Sequence, residues 1–181
     1  IYTKKFVVPA EWEGKVVFVE FEAVYKNATV YLNGELVAER PYGYSNFYAE
    51  LTAGLKIGEE NELKVIADNS KCPNSRWYSG SGIYREVQLY VANASHIALD
   101  GVKITTLDEQ TVKVDAKVVG GDKVYVEILD GEVVIASAEA QVVEEKAGYT
   151  FTIPDAKTWD DEHPNLYTCK VSLMENGQQV D

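Results

Sequence analysis

Arg76-Trp77-Tyr78-Ser79-Gly80-Ser81-Gly82-Ile83-Tyr84-Arg85 is an irregular run held between two alternating ones. Before it, Asn61-Glu62-Leu63-Lys64-Val65-Ile66-Ala67-Asp68 puts Leu63, Val65 and Ala67 on one face, the period of a half-buried strand. After it, Val87, Leu89 and Val91 alternate with Glu86, Gln88 and Tyr90, which reads as a second strand. The segment between them, Ser70 to Gly82, approaches the length of about 12–15 residues beyond which structureless loops are usually functional or disordered. Trp77, Tyr78 and Ile83 carry too much apolar surface for disorder. Gly80 and Gly82 permit positive φ or close backbone approach, so the loop folds back before Tyr84. Physical reasoning leaves two roles open for it: a packed connection whose aromatics finish the core, and a binding loop.

Outward from this run, strands predominate. Tyr2 to Val8 ends at Pro9, and residues 10–14 turn the chain. Lys15 to Ala23 places Val17, Val19, Phe21 and Ala23 on one face and Glu20 and Glu22 on the other. Ala28–Leu32 and Glu35–Glu39 flank Asn33-Gly34, the strongest short hairpin signal. A loop rich in Tyr42, Tyr44, Phe47 and Tyr48 follows, and Leu51 to Gly58 reads as an irregular crossing with one helical turn at most. Ala92-Asn93-Ala94-Ser95 is a polar break, taken as the boundary between domains 1–93 and 94–181. In the second half the strand candidates are Ile97–Thr105, Thr111–Val119, Lys123–Leu129, Val133–Val143, Tyr149–Ile153 and Tyr167–Met174, with Asp130-Gly131 at a hairpin tip. Asn176-Gly177 opens a further hairpin whose return arm is cut short at Asp181, so the natural protein is expected to continue. Short strands with turn punctuation and no long helix give an all-β fold of sandwiches, and about seven strands in the second half suit an immunoglobulin-like one.

Charge narrows the partners. The chain of 181 residues carries 17 basic and 29 acidic side chains, a net charge of −12. Residues 1–93 account for −2 and residues 94–181 for −10, an asymmetry that supports two units with different surfaces. Nucleic acid and anionic membrane surfaces are therefore not expected as partners. Cys72 and Cys169 have no metal spacing and read as free thiols of a reducing, cytoplasmic compartment. His96 and His163 read as ordinary side chains, and neither metal nor other cofactor is expected.

The Arg-Trp-Tyr-x-Gly-x-Gly-Ile-Tyr-Arg string resembles the signature segment of glycoside hydrolase family 2, the β-galactosidase, β-glucuronidase and β-mannosidase group. Val30-Tyr31-Leu32-Asn33-Gly34 and Gly43-Tyr44-Ser45-Asn46-Phe47 are similar to recurring segments of that family's N-terminal domain. Trp159 with His163-Pro164-Asn165-Leu166-Tyr167 resembles a turn near the end of its second domain. The resemblance implies a galactose-binding-like jelly-roll over 1–93 and an immunoglobulin-like sandwich over 94–181. It also implies a catalytic TIM barrel that these residues do not include, and possible homo-oligomers of the full-length enzyme. The β-glycoside substrate would meet this chain only alongside that barrel.

No catalytic residue is assigned. Retaining glycoside hydrolysis needs two carboxyls about 5–5.5 Å apart, whereas Glu59-Glu60 and Asp160-Asp161-Glu162 read as solvated turns. For sugar recognition, rings stack on pyranose faces while polar groups fix hydroxyls. Trp77, Tyr78, Tyr42 and Tyr44 could form such a platform, or could instead pack loops. The resemblance points to Asn74, Ser75, Arg76 and Trp77, with Ser75 standing where a common family variant has an acid, and with the neighbouring ring of Tyr78 they make the expected substrate-binding stretch. Arg85 is read as ordering an interface or meeting a structural carboxylate. A free-standing carbohydrate-binding module is the competing function.

Overall fold

The computed structural model describes residues 1–71 and 80–181, which divide into two compact units, Ile1–Ala92 and Asn93–Asp181. Both are built of antiparallel sheets, and among the described residues helical structure is confined to 3-10 turns at Ala10–Trp12 and Thr52–Gly54.

The first unit contains β1 (Tyr2–Val7), β2 (Val16–Phe21), β3 (Val24–Tyr25), β4 (Ala28–Leu32), β5 (Glu35–Arg40), β6 (Phe47–Glu50), β7 (Glu60–Ala67), β8 (Gly82–Ile83) and β9 (Val87–Ala92). One sheet runs β1-β7-β4-β5, a second β6-β2-β9, and β3 pairs with β8 alone. The inward faces follow the alternation in the sequence. Val17, Val19 and Phe21 of one sheet and Val30, Leu32, Leu63 and Val65 of the other share one buried cluster. Phe21 stacks on Phe47 with ring centroids 5.0 Å apart. Asn33 and Gly34 take φ of 52° and 93° at the tip of the β4–β5 hairpin, as a type I′ turn requires at both positions.

The second unit contains β10 (His96–Thr106), β11 (Thr111–Val119), β12 (Lys123–Asp130), β13 (Val133–Gln141), β14 (Lys146–Thr152), β15 (Thr168–Glu175) and β16 (Gln178–Gln179). Its sheets run β10-β11-β14 and β13-β12-β15-β16. Val114, Ala116 and Val118 face Val124, Val126, Ile128 and Leu173 in the core. Two local readings need correction. The β12–β13 turn is Gly131-Glu132 rather than Asp130-Gly131, because Asp130 still pairs with Val133 after a register shift at Ile128/Leu129. Strand β14 begins at Lys146 rather than Tyr149, since Lys146, Ala147 and Gly148 already pair with Lys117, Ala116 and Asp115. Gly148 carries no strand propensity of its own, so only the β11 edge reveals this extension.

Candidate functional site

The loop that carries the signature run, Ser70 to Gly82, is entered and left on described backbone. On the entry side, Asp68 accepts the Ser70 amide at 2.9 Å, and contact with the Ser70 side chain and backbone holds its carboxyl below the ordinary range. Asn69 Nδ2 donates to Ser81 Oγ at 2.9 Å, closing the neck of the loop. On the exit side, Tyr25 and Val24 pair with Gly82 and Ile83. Gly82 has φ +114°, and a Cβ there would overlap the Tyr2 hydroxyl. That hydroxyl accepts the Ile83 amide at 3.3 Å, so the glycine allows β1 to pin the returning chain. Next, Tyr84 OH donates to the Gly43 carbonyl at 2.7 Å, and the Tyr84 amide donates to Ala23.

These contacts collect aromatic rings around the neck. Tyr42, Tyr44 and Tyr84 are 60%, 55% and 49% exposed. Tyr44 lies 5.1 Å from Tyr25 and 5.8 Å from Tyr42, with interplanar angles of 60° and 65°. Gly43 is tied to this packing, because a Cβ would overlap the Tyr25 ring. Of the residues read as a possible platform, Tyr42 and Tyr44 are thus brought together at the neck. Asn74, Ser75, Arg76, Trp77 and Tyr78 lie outside the described residues, as does Cys72. Arg85 is exposed and makes no ion pair among the described residues. Sequence reading has the loop fold back before Tyr84 and leaves its ring out of the platform. Its exposed ring is a member of the tyrosine group, which its position two residues after Gly82 could have signalled.

Glu20 also departs from expectation. Strand alternation places it on the solvent face, yet it is 8% exposed. Its carboxylate accepts Asn46 Nδ2 at 3.0 Å and Tyr90 OH at 2.8 Å. The Asn46 amide, then the Tyr90 and Tyr48 hydroxyls, outweigh desolvation and hold the carboxyl below its usual pKa. With these neutral partners it resembles a structural acid more than a poised catalytic one. In the second unit, burial pushes the free Cys169 thiol up. Among the described residues, no group of three or more His, Cys, Asp or Glu is placed to hold a metal ion. Nor is any helix there long and apolar enough to cross a membrane.

The second unit decides the relationship, because residues 95–181 match the model of glycosyl hydrolases family 2. Residues 95–181 belong to that family. Likeness to family 2 proteins extends over nearly the whole chain. A β-galactosidase of Bacteroides ovatus is 34% identical over 99% of this chain. A β-glucuronidase of Bacteroides fragilis is 30% identical over 99% of it. A family 2 glycosyl hydrolase from Bacteroides cellulosilyticus, known by crystal structure, superposes over 99% of the chain with a TM-score of 0.89 and 28% identity. The chain spans 23%, 30% and 27% of these three proteins, about a quarter of their length. Its all-β sandwiches match sandwich domains of family 2.

Proposed function

We propose that this chain is a non-catalytic part of a β-galactosidase-like glycoside hydrolase, acting as scaffold and as one wall of the active site. The observation that carries this reading is the likeness to β-galactosidases and β-glucuronidases over 99% of the chain, within only about a quarter of their length. In this reading residues 1–93 are the jelly-roll, residues 94–181 the immunoglobulin-like sandwich, and a TIM barrel elsewhere in the protein holds the carboxylate pair. Asn74, Ser75, Arg76, Trp77 and Tyr78 line the pocket that the barrel completes and touch the β-glycoside there. The enzyme works in cytoplasmic carbohydrate metabolism, assembles as a homo-oligomer, and has no nucleic-acid or membrane partner.

The tyrosines at the neck suit a wall better than a free-standing binding module. Their rings meet at 60° and 65°, whereas a pyranose needs a face on which to lie flat. One open wall also encloses little of a ligand, so sugar affinity in isolation is weak.

The test uses residues 1–181 alone and a full-length enzyme that contains them. The 181-residue chain is expected to leave aryl β-galactosides and β-glucuronides intact. Turnover that co-purifies with it and vanishes on mutation of one of its own carboxylates would overturn the reading. In the full-length enzyme, Trp77→Ala is expected to lower kcat/KM while leaving the melting temperature of residues 1–181 nearly unchanged. A large stability loss with normal kinetics would instead make Trp77 a core residue, at the cost of about 3–5 kcal/mol typical of a buried tryptophan.

A further inference from the structure

The connection between β14 and β15 is stitched internally while displaying apolar side chains. Asp160 Oδ1 accepts the amides of Glu162 at 2.9 Å and His163 at 2.6 Å, and it also contacts His163 Nδ1 at 3.1 Å. Trp159 bridges to Pro164, Asp160 N donates to the His163 carbonyl, and Asn165 Nδ2 donates to the Thr158 carbonyl at 2.9 Å. Tyr167 OH accepts the Lys157 amide at 2.7 Å and fixes the base of the connection. Yet Trp159 is 62% exposed and Leu166 78% exposed.

Trp159 stands beside a cleft of about 470 Å³ lined by Ile104, Val112, Ile128, Ile153, Trp159 and Tyr167, among others. Ile104 lies on β10, an edge strand. It is 52% exposed, although Val114, directly opposite it in register, is 1% exposed. An inward-facing position is therefore left open along the cleft. Glu109 lines the cleft, Asp161 and Glu162 follow Trp159 in the same connection, and none of the three makes an ion pair among the described residues.

We infer that this end of the second unit is a docking surface for further polypeptide of the same longer protein, presenting an apolar centre and a basic rim. This rests on the reading of the chain as part of a longer hydrolase. Tryptophan held rigid at the mouth of an apolar cleft is the typical anchor of an interface, since little ordering remains to oppose binding. Contiguous exposed apolar surface with a polar rim marks such contacts. The occupant follows from two observations: the unpaired acids call for a basic rim, and the β-galactosidase relative has about four times the length of this chain.

Hydroxyl-radical footprinting of Trp159 and Leu166 tests the inference, in residues 1–181 alone and in a full-length enzyme that contains them. Both side chains are expected to be readily modified in the isolated chain and protected in the longer protein. Trp159→Ser and Leu166→Ser are expected to leave the melting temperature of residues 1–181 nearly unchanged. In the longer protein each should speed proteolytic release of this segment about tenfold, the factor that corresponds to roughly 1.4 kcal/mol. Equal modification in the two proteins overturns the inference, as does equal destabilisation of both by either variant. Protection in the isolated chain that grows with protein concentration also overturns it, because the occupant would then be a second copy. Hydrolysis of aryl β-galactosides by the longer protein is measured separately: its absence counts against the proposed function, while the footprint alone decides the docking surface.

Discussion

The side-chain amide of Asn61, 1% exposed, donates to the carbonyls of Lys56 at 2.9 Å and Glu59 at 3.1 Å. Its Oδ1 accepts the Lys56 amide and Asn33 Nδ2. Asn33 in turn accepts the Glu62 amide at 3.0 Å, so two amides join the hairpin tip to the start of β7. Asn61→Ala would leave buried backbone groups unpaired and should cost about 2–3 kcal/mol, read from chemical unfolding of the chain. Glu20 gives a residue-level prediction in pH. Its folded pKa is lowered by Asn46 above all. The stabilisation is therefore present above the pKa of an unfolded glutamate, about 4.3, and is lost as pH falls through the lowered folded value. Urea unfolding midpoints of wild type and Glu20→Gln should differ at neutral pH and converge toward pH 3. A constant difference across that range would show that ionisation of Glu20 contributes nothing.

At the scale of elements, β8 is only two residues long and depends on its neighbours. It has two register partners in β3 and one hydrogen bond from Ile83 to the Tyr2 hydroxyl. Gly82→Ala forces both an unfavourable φ and an overlap with that hydroxyl. It should destabilise the first unit by about 1–3 kcal/mol from backbone strain alone, with the overlap added. Adding Tyr2→Phe should recover part of the loss, seen as a partial rise in melting temperature. No recovery would mean that the overlap is relieved some other way. In β12 and β13 the turn moved by one residue because strand pairing took precedence over the Asp-Gly signal. Gly131 has φ +60° as the first central residue, where a type II′ turn places glycine.

At the scale of the molecule, two separate cores are buried, one in each unit. Leu173 is fully buried in the second and touches the space beside Gly121, whose Cβ would meet its side chain. Leu173→Ala should cost about 2–5 kcal/mol. In amide hydrogen exchange, β12 and β15 should lose protection while β2 and β4 keep theirs. Equal loss in both units would mean that the two unfold as one.

Strand alternation by itself determined the all-β class and most strand positions, because a period of two needs only local sequence and one buried face. Asn33-Gly34 likewise fixed its hairpin, since both residues tolerate positive φ. The string from Arg76 to Arg85 pointed to the family, and the match over residues 95–181 agrees with it. Partners distant in sequence were beyond such patterns. Burial of Glu20 depends on Asn46 and Tyr90, the reach of β14 on β11, and the tyrosine group on Tyr84 returning to Gly43. Each of these is decided by which strands become neighbours, and alternation along one strand specifies its faces but not what lies across them.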